Sequence, residues 1–160
     1  MRRYRTLSQS PIAPAAGQGV VVRPSPIQRV KVTSLRATFT ADAVVANRFL
    51  FAQICDPNNV PVFETGSQTA IAAAGVLDLV LSTAFGQATA IQGPVNQGVG
   101  LGIPSLWLPP SWTIKLGAVA QDAGDTFTAI SYVGEFAEDV WDIEEDELSD
   151  EQLYTAILAS

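Results

Sequence analysis

The sequence predicts an all-β fold, an antiparallel sandwich or barrel, with an extended N-terminal arm and a short C-terminal helix. Three observations predict it. Short runs rich in Val, Ile, Thr and Phe recur through the middle of the chain, bounded by Gly, Pro, Asn or Asp. Within them apolar residues alternate instead of recurring at helical spacing. Finally, 48% of the 160 residues are hydrophobic, enough to bury the core of one domain with appendages.

Residues 1–26 read as the arm. Pro11, Pro14, Pro24 and Pro26 remove backbone donors, and Gly17 and Gly19 loosen the chain. Val20, Val21 and Val22 are suited to adding one short strand to a neighbouring subunit. Arg2, Arg3 and Arg5 make the arm basic.

Residues 27–136 read as the body. In Ile27 to Thr40, Val30 and Val32 share one face while Leu35, Ala37 and Phe39 share the other, so a bulge or strong twist is expected between them. Val44 to Cys55 is apolar on both faces, as a strand covered on both sides would be. Asp56-Pro57-Asn58-Asn59 is turn chemistry, and Pro61 suits the following short strand to a sheet edge. Residues 70–83 admit helix around Ala72 but read better as strand from Val76 to Leu81. Residues 84–105 carry seven Gly or Pro residues and no charge, and read as one long loop. Leu106-Trp107-Leu108-Pro109-Pro110-Ser111-Trp112 forces a corner. Trp112, Ile114 and Leu116 then alternate, Gln121 to Asp125 is a turn, and Thr126 to Glu135 is the next strand, together a hairpin pattern.

Residues 137–160 read as an acidic linker and a short amphipathic helix over about 150–158. Ser149 with Gln152 makes a capping box, and Leu148 with Leu153 a hydrophobic staple. Leu153 and Ile157, and Tyr154 and Leu158, form an apolar stripe that needs a surface to pack on.

The charge is divided along the chain. Eight of the nine bases lie in the first 48 residues, while ten of the sixteen acids lie between Glu135 and Glu151. Opposite fields at the two ends point to interaction segments. Only 16% of residues are charged, which favours a protein partly covered by neighbours. No apolar run reaches the length of a membrane span, and no apolar stretch of signal-peptide length follows the first arginines.

Histidine is absent. Ser-His-Asp and Cys-His triads cannot be built within the chain, nor can zinc sites of cysteine and histidine. Cys55, the one cysteine, lies in an apolar run and reads as a small buried hydrophobe in a reducing compartment. Asp122 and Asp125 share a turn and are the one plausible catalytic pair, although local support of that turn through backbone bonds is the favoured reading. No cofactor or metal is expected. Arg2, Arg3, Tyr4 and Arg5 could touch phosphates, but the net charge of −7 disfavours nucleic acid as a partner. Trp107 and Trp112 read as core or interface anchors, with stacking on sugar rings as the alternative.

The string Leu106-Trp107-Leu108-Pro109-Pro110-Ser111-Trp112-Thr113-Ile114, followed by Gln121-Asp122-Ala123-Gly124-Asp125-Thr126-Phe127, resembles small β-sandwich structural proteins of tailed bacteriophage virions. The resemblance spans residues 27–136. It implies a jelly-roll-like sandwich, many symmetric copies and no catalysis. The expected function is therefore a capsid decoration (cement) or head–neck component, assembled in the host cytoplasm and located in the virion. Its expected partners are other virion subunits and further copies of itself. The expected contacts are Arg2, Arg3, Arg5, Val20, Val21, Val22, Trp107, Trp112, Leu153, Tyr154, Ile157 and Leu158. A carbohydrate-binding sandwich module for a host receptor and a carboxylate-dependent hydrolase are the alternatives.

Overall fold

The computed structural model describes residues 3–26, 28–68, 70–84, 89–92 and 97–138. These form an all-β, sandwich-like fold with no helix among them. The strands are β1 (Arg3–Gln9), β2 (Val20–Val22), β3 (Val30–Thr40), β4 (Phe49–Cys55), β5 (Pro61–Gly66), β6 (Val76–Ser82), β7 (Thr89–Gln92), β8 (Gln97–Gly102), β9 (Thr113–Val119) and β10 (Thr126–Glu138). Six of them form one sheet in the order β1-β10-β3-β6-β8-β7, and four form a second in the order β2-β9-β4-β5.

One hydrophobic core joins the sheets. Leu35, Phe39, Leu79, Leu81, Leu101 and Phe127 of the larger sheet are fully buried together with Leu50, Ile114 and Leu116 of the smaller. Each fully buried side chain of this size contributes about 1.5–3 kcal/mol. Phe39 and Phe127 are cross-strand partners, with ring centroids 4.9 Å apart.

The parity change in β3 is a bulge. Val133 pairs with Ser34 and Gly134 with Val32, which leaves Thr33 as the extra residue. Val30 and Val32 can then face the same core as Leu35, Ala37 and Phe39. A second bulge in β10 lies between Thr128 and Ser131, with Ala129 at φ 48°. Pro61 opens β5, an edge strand, as its missing donor requires. The turn before it is held by Asp56, whose Oδ1 accepts the Val60 amide at 2.8 Å. Residues 76–82 are strand.

Three readings of the sequence are corrected. Residues 84–105 are not one loop, because they contain β7 and β8. Val99 and Leu101 alternate with Gly98, Gly100 and Gly102, and this period-two pattern buries both apolar residues. The fold is not purely antiparallel: β8 pairs with β6 in parallel, and β7, which lies between them in the chain, forms the outer edge of the sheet antiparallel to β8. The pattern around Gln121 to Asp125 is not a hairpin. Strand β9 belongs to the smaller sheet and β10 to the larger, so the turn crosses between sheets. Over the described part of residues 1–26, two strands belong to this chain's own sheets. Strand β1 pairs with β10 and β2 with β9, both on this chain's own body. Val20 and Val22 face inward at 2% and 1% exposure, so burial in the chain's own core offsets the cost of ordering this strand. The helix expected over 150–158 lies outside the described residues.

Candidate functional site

The turn that carries Asp122 and Asp125 meets the loop after β3 at one end of the sandwich. Asp125 is fully buried and both its oxygens are committed. Oδ1 accepts the amide of Asp42 at 2.9 Å. Oδ2 accepts Arg48 Nε at 2.6 Å and the amide of Asp122 at 2.8 Å. Arg48, also at 0% exposure, donates from Nη2 to Asp42 Oδ1 at 2.5 Å. Its Nη1 donates to the carbonyls of Val44 and Ala46 at 3.0 and 3.3 Å. A buried charge is tolerable only when paired and hydrogen-bonded in this way.

Burial pushes the Asp125 carboxyl up, but the Arg48 hydrogen bond and the amides of Asp122 and Asp42 outweigh it and hold it below the ordinary 3.8. The hydrogen bond to Asp125 likewise raises the Arg48 guanidinium, against the effect of burial. Asp125, fully buried, therefore offers no solvent-facing oxygen to a substrate, and with Arg48 and Asp42 it acts as a fastener to which Asp122 contributes its backbone amide. The same junction holds further loops: the Gly17 amide donates to Asp125 O at 2.7 Å, and the Ala74 amide to Asp42 O at 2.6 Å. Among the described residues no group of three His, Cys, Asp or Glu side chains could hold a metal ion.

The fastener has an outward consequence. Arg48 grips the carbonyls on both sides of Val45, and Val45 projects at 93% exposure. The next residue after Arg48, Phe49, is 37% exposed and pairs across with Val119, which is 57% exposed. Beside them Phe51 lies over Gly117, where an added Cβ would come within 2.5 Å of the Phe51 ring. Two strand partners of Phe51, Gly117 and Gly66, thus leave it the sole large side chain of its row on the outer face of the smaller sheet. Val45, Phe49 and Val119 are thus exposed, and Phe51 is half-buried beside them.

The expected contact residues fall in different places. Val21 faces outward at 51% exposure, whereas Val20 and Val22 belong to the core. Trp107 is half-buried, and Trp112 is half-buried against the core. The corner between them is tied down by the Ser111 amide, which donates to Ser25 O at 3.0 Å. Arg5 is exposed on the edge strand β1, where Arg3 stands opposite Glu138. Arg2, Leu153, Tyr154, Ile157 and Leu158 lie outside the described residues, as does Trp141.

Sequence reasoning missed Arg48 altogether. One signal was available: a lone arginine between Val44-Val45-Ala46 and Phe49-Leu50 is a charge in an otherwise apolar setting. Such a charge calls for a buried partner. No family model matches this chain, and no curated protein matches it.

Proposed function

We propose that the chain is a non-catalytic structural subunit of a tailed-phage virion, a capsid decoration or head–neck component with a jelly-roll-like body. Val45 carries the reading. A valine exposed at 93% gains nothing for the chain's own stability, yet Arg48 fixes both of its flanking carbonyls. Rigid presentation of an apolar side chain lowers the entropy cost of docking on another protein. Phe49, Phe51 and Val119 extend the apolar surface along the smaller sheet, and Val21 adds to it at the opposite edge. The segment with Leu153, Tyr154, Ile157 and Leu158 supplies a further contact. Each such contact is weak alone, and many copies on one particle supply avidity. The partners are other virion subunits and further copies of this chain.

The test is mass spectrometry of particles purified from a lysate of the virus that encodes the chain. The chain is expected at a fixed copy number per particle, and Val45→Asp is expected to lower its incorporation. Presence in infected-cell extract with absence from purified particles would overturn the reading.

A further inference from the structure

We propose that the outer face of the smaller sheet pairs with the same face of a second copy of this chain, about a two-fold axis running along β4, a pairing that rests on the reading of this face as a contact surface and names its occupant.

The strand register lays the face out in rows. Strand β4 has β9 on one side and β5 on the other. Its outward residues centre three rows. Phe49 stands beside Val119, Phe51 stands between Gly117 and Gly66, and Gln53 stands between Lys115 and Glu64. Neighbouring strands lie about 4.8 Å apart, so Lys115 and Glu64 sit at equal distances on opposite sides of β4. Lys115 is half-buried and Glu64 is exposed. Gln53 Nε2 donates to Glu64 Oε2 at 2.6 Å and holds that carboxylate in the row.

Two observations select a second copy as the occupant and fix its orientation. The first is charge. Two identical faces can stack about an axis lying along the central strand or about one lying across it. An axis along β4 exchanges the two sides of the face, so Lys115 of each copy meets Glu64 of the other. An axis across β4 leaves each side facing itself, so Lys115 meets Lys115 or apolar Val119 and never Glu64. A cation and an anion placed symmetrically about the central strand thus make the face complementary to itself under the first axis.

The second observation is shape. The Phe51 ring lies over Gly117, which is buried beneath it, and leaves Gly66 exposed on the other side. Under the axis along β4 the ring of the second copy leans the opposite way and settles over Gly66. Under the axis across β4 both rings lean to the same side, and Gly66 stays uncovered in both copies. Charge and shape therefore choose the same axis independently.

The face is small. Three rows on four strands span roughly 14 Å in each direction, well below the area of about 800 Å² per partner in a standard stable interface. The dissociation constant is accordingly above about 1 μM. Such a pair forms fully only where chains are concentrated or held side by side on a common support.

The experiment is sedimentation equilibrium of the full chain from about 10 μM to about 1 mM at low salt, where surface charges are least screened. The wild type is expected to dimerise. Lys115→Glu sets a carboxylate against Glu64 twice in the dimer, and Glu64→Lys sets an ammonium against Lys115 twice. Each is expected to weaken dimerisation about tenfold. The double variant Lys115→Glu/Glu64→Lys restores both pairs and is expected to return to within about threefold of wild type. Circular dichroism confirms that the variants are folded. A chain that stays monomeric throughout, or a double variant as weak as the single ones, would overturn the proposal. Amide NMR of the wild type on dilution reads the same face without substitution. Shifts at residues 49–53, 64–66 and 115–119 support the pairing, and shifts confined to the larger sheet overturn it. A monomer still recovered at fixed copy number in purified particles would overturn this pairing alone and leave the virion reading standing.

Discussion

Arg48 donates from Nε to Oδ2 of Asp125 at 2.6 Å, across 77 residues of sequence and with both side chains at 0% exposure. The pair fastens the crossing between sheets to the loop that presents Val45. Asp125→Ala leaves the Arg48 charge buried with half its anionic support gone. Breaking a buried pair this way is among the costliest single changes, and the melting temperature is expected to fall by roughly 10 °C. Differential scanning calorimetry checks it. An unchanged melting temperature would show that the cluster holds nothing together.

The same carboxylate sets an acid limit. Its folded-state value lies below the ordinary 3.8, because Arg48 and two amides favour the charged form over the effect of burial. Its contribution to stability is therefore fully present above the unfolded value of 3.8 and is lost as pH falls through the lower folded value. Urea midpoints measured downward from pH 5 should drop steeply below about pH 4, and Asp125→Asn should flatten that drop. A variant that keeps the wild-type slope would assign the acid sensitivity to other carboxylates.

Glycine substitutions in the smaller sheet should separate by what a methyl group meets. At Gly19 an added Cβ falls 2.5 Å from the backbone oxygen of Leu116, and at Gly66 it falls 3.3 Å from that of Leu50. Backbone cannot swing aside, so Gly19→Ala should cost about 1–3 kcal/mol in chemical denaturation. Gly66→Ala should cost clearly less, and the reverse order would contradict the close approach of residue 19 to β9.

Val45→Asp should leave stability within about 0.5 kcal/mol of wild type, since the side chain touches solvent and its loop is held by Arg48. Self-association or particle binding, followed by native mass spectrometry, should weaken. A large stability loss would mean that Val45 packs on its own chain.

Tyr132 is 2% exposed, and its hydroxyl donates to Gln9 Oε1 at 2.6 Å, a link between β10 and the end of β1. Tyr132→Phe should cost about 1 kcal/mol and speed hydrogen exchange in β1 more than in β4. Uniform acceleration across all strands would argue against a local link. The same geometry defines a clean truncation. Removing residues 1–10 takes only the edge strand, whereas cutting through Val22 removes two core valines.

Local rules were legible in the sequence wherever neighbours in the chain decide the outcome. The parity switch between Val32 and Leu35 announced a bulge, and Pro61 announced an edge. Asp56 to Asn59 announced the turn that joins β4 to β5. What escaped was decided by distant partners. Gly98, Gly100 and Gly102 looked like loop because glycine has little strand propensity. They form a strand because Val99 and Leu101 dock against a core built elsewhere. The turn at Gln121 to Asp125 has hairpin composition, yet Asp125 is bound inward to Arg48, and β9 and β10 lie in different sheets. Of the three valines of β2, Val21 faces out while Val20 and Val22 serve the core, a split set by the strand's period of two. Val45 could be recognised as presented only once the grip of Arg48 on its neighbours was visible.

The pairing of Arg3 with Glu138 has a further consequence, which concerns synthesis. Strand β1 leaves the ribosome first, but its partner β10 is completed only at residue 138. At about 5–20 residues per second, the edge strand waits on the order of ten seconds with nothing to pair with. Its sequence, Arg-Tyr-Arg-Thr-Leu-Ser-Gln, suits that interval, because it is polar enough to remain in water without sticking to other nascent chains. The larger sheet thus gains its β1 edge only as β10, the last of its described strands, emerges.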